Sequence, residues 1–307
     1  MVSPIFLSSG DVIADRRFEW ARDQQAKGDL AGAADLLMQA LELAPDYASA
    51  WFALGELREA LGDHAGAIAA FESARVTDPQ DRNGAMLRLV RLGSLCIAGM
   101  PEGYVRALFD SYAPNFDQAL TEGLNYRAPD LLFHAVTAAH AGQRMKFGSV
   151  LDLGCGTGLA ALPFRPFSDW VVGVDLSPAM LAQARKKGLY DRLIECEAIA
   201  FLAGELNTGA RYHLMLAADV FMYLDDLTKP IKAAARVLAS PGQFAFTVET
   251  HNGEGVVLRE TLRYAHSAAH VRAALEAASL KLLSLDFAST RTEKGLPVPG
   301  LIVVAGH

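Results

Sequence analysis

The stretch Val150–Gly158, VLDLGCGTG, constrains the fold more strongly than any other part of the chain. Apolar residues lead to one acid, Asp152, and glycine then recurs at positions 154, 156 and 158. Glycine accepts a positive φ and lets a ligand lie against bare main chain, while a helix after the turn directs free N–H groups at the same ligand. The stretch therefore predicts a buried strand, a ligand-binding turn and a helix.

The spacing of the glycines bears on the identity of the ligand. The dinucleotide fingerprint is G-x-G-x-x-G, with a pyrophosphate at the helix end, whereas this chain has G-x-G-x-G with Asp152 two residues before the first glycine. A second acid, Asp175, ends the next apolar segment. A carboxylate in that position can accept hydrogen bonds from both hydroxyls of a vicinal diol. The pattern disfavours a pyrophosphate and favours a ligand that carries a diol.

Two motifs carry a family resemblance. Residues 152–158 resemble the first motif of class I S-adenosylmethionine-dependent methyltransferases, and Val171–Pro178, VVGVDLSP, resembles the second-strand motif. The resemblance implies that the loop passes under the methionine and ribose of the cofactor, that its acid anchors it, and that Asp175 binds the ribose. A glycine-rich turn in an unrelated α/β protein is the alternative. The residues expected at the cofactor are Asp152, Gly154, Cys155, Gly156, Gly158, Asp175 and Leu176.

Later strands add candidates at the same edge of the sheet. Residues 192–196 predict a third strand, and the resemblance implies that Glu197, with Ala198, accepts the adenine amino group. Many members have Gly-Asp here, so a salt-bridged surface glutamate stays the alternative. The apolar run from Tyr212 predicts a fourth strand buried on both faces, which would place Ala217 in the crevice with the glycine loop.

Strands and helices continue to alternate up to residue 305. We expect a helix ending near residue 239, a strand over 243–249, a helix over about 266–278 and two final strands over 280–290 and 301–305. This order predicts a Rossmann-like α/β domain over residues 99–307, with its core over 148–307. Its sheet should be mostly parallel and seven-stranded, with an antiparallel edge strand.

The first part of the chain contains an internal repeat. Residues 12–79 repeat with a 34-residue offset, and the second copy, with Gly55, Ala67 and Phe71, resembles the tetratricopeptide repeat. Small residues let two antiparallel helices approach closely, and aromatic residues fill the gap between them. One further helix, over 84–93, should cap the array. We therefore expect an all-α domain over residues 1–98, which could bind a partner or a second copy of the chain.

The segment between the two domains contains the sequence FDSYAPNFD, residues 109–117. It resembles a segment of bacterial tetratricopeptide-containing methyltransferases that folds over the cofactor, so residues 99–147 are expected to cover the site. The resemblance implies that Tyr112 and Phe116 border the cofactor, with Tyr126 and Arg127 near the substrate mouth. The alternative is that these aromatics form the apolar side of an amphipathic helix.

Methyl transfer from a sulfonium is an in-line displacement, so the protein mainly aligns the reactants and excludes water. An alcohol or phenol acceptor also needs a base, and a carboxylate needs none. The catalytic candidates are Asp219, Tyr223 and His266, of which His266 has a pKa that could lie near neutrality. A hydrogen-bonded structural histidine is the alternative. No set of carboxylates and histidines has metal-ligand spacing, so no metal is expected.

Composition limits the classes of partner. The net charge of −7, without a basic run, disfavours nucleic acid as the main partner. Three scattered cysteines suggest neither disulfides nor zinc, and no apolar run approaches roughly 18 residues, so we expect a cytoplasmic protein that does not enter membranes. The sequence favours S-adenosylmethionine-dependent methylation of a small molecule or a protein. An interaction protein with a non-catalytic cofactor domain is the alternative.

Overall fold

The structure is a computed structural model that describes residues 6–96, 99–140 and 145–307. The chain divides into two compact units, one that ends at Leu108 and one that begins at Phe109. The first unit is helical. Its helices are α1 Val12–Ala26, α2 Leu30–Leu43, α3 Ala48–Ala60, α4 His64–Thr77, α5 Ala85–Arg91 and the start of α6 Glu102–Tyr112.

The predicted repeat is present as two helix pairs, α1 with α2 and α3 with α4. The first helix of the second pair carries Gly55, where an added Cβ would lie 2.6 Å from the ring of Phe71. A side chain at this position is therefore excluded by the aromatic residue of the paired helix. Asp29 and Asp63 cap the second helix of each pair in the same way, each accepting from a backbone N–H three residues on. The single helix α5 follows, where the sequence predicts one further helix over residues 84–93.

The second unit is an α/β sandwich around one large sheet. Its helices are α7 Phe116–Gln118, α8 Ala128–Ala139, α9 Pro178–Lys187, α10 Ala198–Thr208, α11 Thr228–Val237 and α12 Ala268–Ala277, and its strands are β1 Phe147–Leu153, β2 Ser168–Asp175, β3 Arg192–Glu195, β4 Tyr212–Ala217, β5 Leu238–Glu249, β6 Val256–Leu258, β7 Tyr264–His266, β8 Lys281–Phe287, β9 Thr292–Glu293, β10 Leu296–Pro297 and β11 Gly300–Gly306.

The main sheet has the order β3-β2-β1-β4-β5-β11-β8. The first five strands are parallel to one another, and β11 runs antiparallel to both of its neighbours. Because β1, β4 and β5 are central, their carboxyl ends meet at one crevice of the sheet. The prediction of a mostly parallel Rossmann-like sheet is confirmed. The sheet has nine strands and not seven, because β6 and β7 add to it beside β5, and its antiparallel strand β11 lies one place inside the edge strand β8.

Several local expectations differ from the structure. Between Gly158 and β2 the chain forms turns and a short 3-10 helix, Arg165–Phe167, instead of the predicted helix. Pro163 and Pro166 interrupt this segment and remove two backbone donors. The helix predicted from about residue 266 begins at Ala268, and residue 266 ends strand β7 instead.

Candidate active site

The glycine loop after β1 is held by the end of β2. The backbone N–H of Gly156 donates to the carboxylate of Asp175 at 2.8 Å, and the other carboxylate oxygen accepts from the N–H of Ser177 at 2.8 Å. Burial raises the pKa of Asp175, and these two hydrogen bonds only partly oppose that rise. One carboxylate therefore fixes the bend of the loop and the start of helix α9 together.

The three glycines of the loop, all at positive φ, lack side chains for different reasons. A Cβ on Gly154 would lie 2.5 Å from Val220, and a Cβ on Gly158 would lie 2.9 Å from the ring of Tyr190. The nearest atom to a Cβ on Gly156 is on Phe116, at 3.9 Å. Two glycines therefore make room for the protein's own side chains, and Gly156 keeps an open face.

Asp152 is fully buried beneath the loop. One oxygen of its carboxylate accepts a hydrogen bond from the Tyr190 hydroxyl at 2.7 Å, and the other, Oδ1, has no hydrogen-bond partner among the described residues. Burial raises the pKa of this carboxyl to about 7, with the Tyr190 bond opposing the rise and the charge of Asp175 adding to it. A buried unpartnered oxygen of this kind is a place for a cationic or N–H group of a ligand.

Residues 109–117, FDSYAPNFD, form a strap that is attached to the loops by its two aspartates. Asp110 accepts from the hydroxyl of Ser177 and from the backbone N–H of Ala179, at the start of α9. Asp117 accepts from the hydroxyl of Thr157, inside the glycine loop. It also forms an ion pair with the Lys187 Nζ at 2.6 Å.

The two phenylalanines of the strap pack together over the loop. The ring centroids of Phe109 and Phe116 lie 6.1 Å apart, and Phe109 meets the ring of Tyr223 edge-on at 5.3 Å. Phe116 is also the nearest neighbour of the open face of Gly156. The strap thus places aromatic surface where the loop has no side chain.

A second group of charges lies beyond β4 and β5, and we call it the ion cluster: Asp219, Glu249, Arg259, Arg263, Arg291 and Glu293. At its centre the buried guanidinium of Arg291 pairs with Asp219 at 3.2 Å and more closely with the buried carboxylate of Glu249. Asp219 has a positive φ of 54° and also accepts from the hydroxyls of Thr247 and Thr290. Its carboxylate is therefore surrounded by donors.

The other two arginines of the ion cluster are held more loosely. Arg263 lies 3.9 Å from Glu249 and 3.4 Å from Glu293, and its side chain is 22% exposed. Burial lowers the pKa of Arg263, but Tyr223 and the two carboxylates raise it by more. Arg259 donates to the carbonyl of Thr250 and lies 3.9 Å from Glu249.

Two tyrosines connect the loop with the ion cluster. Burial raises the pKa of Tyr126 well above its usual value, and the charges of Asp219 and Asp152 raise it further. Burial likewise raises the pKa of Tyr112 to about 12, with contributions from Tyr223 and Glu293 and an opposing one from Arg263. Both phenols therefore stay protonated near neutral pH and can donate a hydrogen bond.

The segment before α8 is attached to the chain that follows β8. The N–H of Arg127 donates to the carbonyl of Thr290 at 2.7 Å, and the N–H of Thr292 donates to the carbonyl of Leu124 at 2.7 Å. These bonds flank Tyr126, which lines a groove of about 230 Å³. The lining residues are Thr121, Tyr126, Pro129, Asp130, Leu159, Leu162 and Pro163.

Family models match both units. The model described as "Methyltransferase domain" matches residues 150–242, which include the glycine loop, Asp175 and Asp219. We call the unit that contains residues 150–242 the methyltransferase domain after this match. The model described as "Tetratricopeptide repeat" matches residues 18–82. The two matches agree with the repeat array and the methyltransferase-like domain that the sequence predicts.

Individual relatives match the methyltransferase domain in part. The chain is 40% identical to human methyltransferase-like protein 27 over 115 residues, which are 37% of this chain and 46% of that protein. It is 30% identical to the demethylmenaquinone methyltransferase of Chlorobaculum tepidum over 164 residues, which are 51% of this chain and 63% of that protein. The chain spans about half the length of the first curated relatives that it matches.

A solved structure shares the fold of the methyltransferase domain. Magnesium protoporphyrin IX methyltransferase from Synechocystis, with bound SAH, aligns with a TM-score of 0.50 and 18% identity. The alignment covers 67% of this chain and 99% of that chain.

The remaining cofactor candidates lie along the edge of the methyltransferase domain. Ala217 is buried at the end of β4, and Leu176 is half-buried next to Asp175. Glu197 caps helix α10, which begins at Ala198, by accepting from the N–H of Ala200 at 2.7 Å. Glu197 is thus a helix cap without a salt bridge to any of the residues that the structure describes, and its predicted bond to adenine stays a prediction.

His266 has surroundings that favour the structural alternative. Its side chain is fully buried, and its Nε2 lies 2.9 Å from the carbonyl oxygen of Leu224. Burial lowers the pKa of His266 to about 4, with the neighbouring His270 lowering it and the bond to Leu224 opposing this. The ring is therefore neutral near pH 7, and its role as a base stays a prediction.

Two residues of the site, Tyr190 and Arg291, were not predicted from the sequence. Tyr190 fills the space under Gly158 and also under Gly173, where an added Cβ would lie 2.8 Å from its ring. Arg291 joins the predicted Asp219 to Glu249. Neither residue belongs to a sequence motif, although a glycine inside a strand, as at position 173, does signal close approach by another group.

In the described parts of the chain, no helix has both the length and the apolar character needed to span a membrane. The same residues contain no group of three or more histidine, cysteine, aspartate or glutamate side chains that could hold a metal ion.

Proposed function

We propose that this protein transfers a methyl group from S-adenosylmethionine to an acceptor that is a small molecule or a protein. The single observation that carries the proposal is the pairing of the open face of Gly156 with the carboxylate of Asp175, which holds the loop from the end of β2. The relatives are named as methyltransferases, and the structural neighbour from Synechocystis contains SAH.

The residues present fit this cofactor. Asp175 would accept the ribose hydroxyls with the lone pairs that its two backbone hydrogen bonds leave. The buried Oδ1 of Asp152 would receive a cationic part of the ligand, which would also favour ionisation of this carboxyl. Glu197 would accept the adenine amino group, next to Ala198. When bound, the cofactor supplies the methyl group on a sulfonium, which is a good leaving group.

The strap would exclude water from the reaction. Phe109 and Phe116 cover the loop, and the bonds of Asp110 and Asp117 hold them there. Tyr112 belongs to the same strap and lies near Tyr223 and the ion cluster, so it would border the cofactor and the acceptor together.

The acceptor would lie between the strap and the ion cluster. Asp219 and Tyr223 are on the segment after β4, at the carboxyl edge of the sheet, where ligands of such folds bind. The tetratricopeptide helices would bind a partner, the substrate or a second copy of the chain, and the protein would act in the cytoplasm.

Calorimetric titration of the full chain with S-adenosylmethionine and with SAH tests the proposal. Asp175→Ala should weaken binding about 30-fold or more, because a charge-assisted pair of hydrogen bonds contributes roughly 2 to 4 kcal/mol. Asp169→Ala is the matched control, because this exposed acid lies at the other end of β2 and pairs only with Lys146 among the contacts described. Absence of binding by the native chain, or equal affinity in Asp175→Ala, would overturn the proposal.

A further inference from the structure

We propose that the acceptor group is a carboxylate, which Arg263 binds together with the hydroxyls of Tyr112 and Tyr223, and that its methylation uses no general base. This inference rests on the proposed function and names its substrate class. It depends on three features of the ion cluster: how fully each arginine is hydrogen-bonded, how the charges balance, and which proton acceptors already accept hydrogen bonds.

Arg263 is more exposed than Arg291 and lies farther from the carboxylates around it. Arg291 is 5% exposed and touches Asp219 at 3.2 Å and Glu249 more closely. Arg263 is 22% exposed, and its two carboxylate contacts, at 3.4 and 3.9 Å, exceed the usual length of a charge-assisted hydrogen bond. Arg263 also hydrogen-bonds the side chain of Tyr223. Since a guanidinium has five N–H donors in a planar fork, donors remain for a bidentate ligand.

The enclosed part of the ion cluster favours an anion. Three arginines face the buried carboxylate of Glu249 and the half-buried carboxylate of Asp219. The third acid, Glu293, lies on strand β9 with a side chain that is 38% exposed. At 3.4 Å from Arg263, Glu293 occupies the kind of position that an acceptor carboxylate would take. An ammonium acceptor would be repelled by the same arginines.

Most proton acceptors of this region are already committed. Asp219 receives bonds from Arg291 and two threonine hydroxyls, and Glu249 is paired with Arg291. The two ring nitrogens of His251 contact backbone groups of its own loop. The Nε2 of His266 is bonded to a carbonyl and its Nδ1 has no partner among the described residues, but burial lowers the pKa of this ring to about 4, so it is a weak base for an alcohol or phenol.

The surrounding phenols strengthen this argument. Tyr112 and Tyr126 are protonated donors near neutral pH, since burial raises the pKa of both. A region composed of cations and donors stabilises an acceptor that is already negative. A carboxylate satisfies this requirement and needs no base.

The step balances without a proton. A lone pair of the carboxylate oxygen forms the new bond to the methyl carbon, and the carbon–sulfur bond breaks with its electron pair going to sulfur. The acceptor changes from an anion to a neutral methyl ester, and the sulfonium becomes a neutral thioether. Arg263 would orient the carboxylate through both oxygens, and a remaining lone pair on one of them would attack the methyl carbon.

Binding of simple acids, measured separately from turnover, tests the inference. Acetate, benzoate and octanoate would be titrated into the full chain, alone and saturated with SAH, with acetamide, benzamide and octanamide as uncharged isosteres. At least one acid should bind at least tenfold more tightly than its amide. Arg263→Gln should weaken that binding about tenfold or more, and Arg263→Lys should give an intermediate loss.

Two further variants separate a ligand-binding role from a structural one. Glu293→Gln should tighten binding of the same acid several-fold, because it removes an internal competitor for Arg263. Arg272→Gln, which removes an exposed arginine of helix α12, should leave binding unchanged. Equal affinities for acids and amides, or weaker binding in Glu293→Gln, would overturn the inference.

The chemical product provides an independent test and identifies the source of the carboxylate. After incubation with methyl-labelled S-adenosylmethionine, a methyl ester releases methanol in mild alkali, whereas ethers and methylamines do not. One arm would contain the organic acids and the other a peptide with one glutamate, compared with its glutamine version. Alkali-stable product together with normal S-adenosylmethionine binding would overturn the carboxylate inference alone, whereas absence of that binding would overturn the proposed function.

Discussion

The glycine loop and the ion cluster, at the two ends of the crevice in the methyltransferase domain, differ in how their carboxylates are paired. At the glycine loop, Asp152 is buried beside a phenol and another acid, and burial raises its pKa to about 7. At the ion cluster, Asp219 and Glu249 are paired with the guanidinium of Arg291. A carboxylate is therefore left without a cationic partner at the glycine loop, whereas the carboxylates of the ion cluster are neutralised by an arginine.

This difference indicates what each end has to do. An unpaired buried carboxylate costs free energy in the folded protein until a complementary group is beside it. A paired carboxylate holds its neighbours in position without a ligand. The loop is therefore arranged to receive a cationic partner from outside, whereas the centre of the ion cluster is arranged to hold Arg263 and the hydroxyls around it.

Arg291→Met should produce the largest effect and sharpen this comparison. Removing the guanidinium leaves Asp219 and Glu249 without their partner, and breaking a buried ion pair from one side costs about 3 to 5 kcal/mol. The free energy of unfolding from urea titration, followed by a probe in the methyltransferase domain, measures the loss. Arg272→Met is the exposed control and should change stability by less than about 0.5 kcal/mol. Equal stabilities for both variants would show that the cluster does not support the fold.

Asp152→Asn should raise the free energy of unfolding above pH 7, whereas Arg291→Met should lower it. The unfolded carboxyl ionises near pH 3.9, whereas burial raises the folded pKa to about 7, opposed by the Tyr190 bond and reinforced by Asp175. The folded state therefore binds more protons between about pH 4 and pH 7, so this residue's contribution to stability is present below about pH 4 and is lost as the pH rises towards 7. The amide variant lacks this loss and should be more stable at pH 8, by on the order of 3 kcal/mol.

Urea unfolding of native protein and Asp152→Asn at pH 5, 6, 7 and 8 measures this effect. Tyr190→Phe is the matched variant, since it removes the hydrogen bond that lowers the pKa of Asp152. Parallel stability curves for the native protein and Asp152→Asn between pH 5 and 8 would contradict the assignment of an unpaired acid to the loop.

The two ends also differ in how far the sequence predicts them. The glycine loop and Asp175 belong to neighbouring sequence motifs, so short-range spacing was enough to predict them. The strap was predicted as a segment because residues 109–117 resemble a segment of bacterial tetratricopeptide-containing methyltransferases. What the sequence did not show is that Tyr190 supports the loop, since no local pattern links a tyrosine after α9 to Gly158 in the loop and Gly173 in β2.

The ion cluster was predicted only in part because it is assembled from distant segments. Asp219 lies after β4, Arg263 precedes the three-residue strand β7, and Arg291 lies 28 residues further on, before β9. Strands of two or three residues are too short for alternation to reveal them. The start of α12, by contrast, could have been predicted from local sequence. Ser267 caps that helix by accepting from the N–H of His270, and serine is a preferred residue at this position.

The smallest of the expected effects concerns the loop itself and separates its two kinds of glycine. Gly154→Ala and Gly156→Ala share the strain of a positive φ, about 1 to 2 kcal/mol. Only the first brings a Cβ to 2.5 Å from Val220, a stiff β-branched side chain. Gly154→Ala should therefore be less stable than Gly156→Ala by about 1 to 2 kcal/mol, as measured by urea unfolding.

Val220→Ala tests the cause of that difference, because it removes the methyl groups that the new Cβ would meet. In the Val220→Ala background the two alanine variants should become nearly equal in stability. Cofactor titration should give the reverse order, since Gly156→Ala places a methyl group on the open face and should weaken S-adenosylmethionine binding more than the doubly substituted Gly154→Ala, Val220→Ala protein does. If the stability difference persisted without Val220, its origin would lie in the backbone of the loop, and Gly154 could not be assigned to packing while Gly156 serves the ligand.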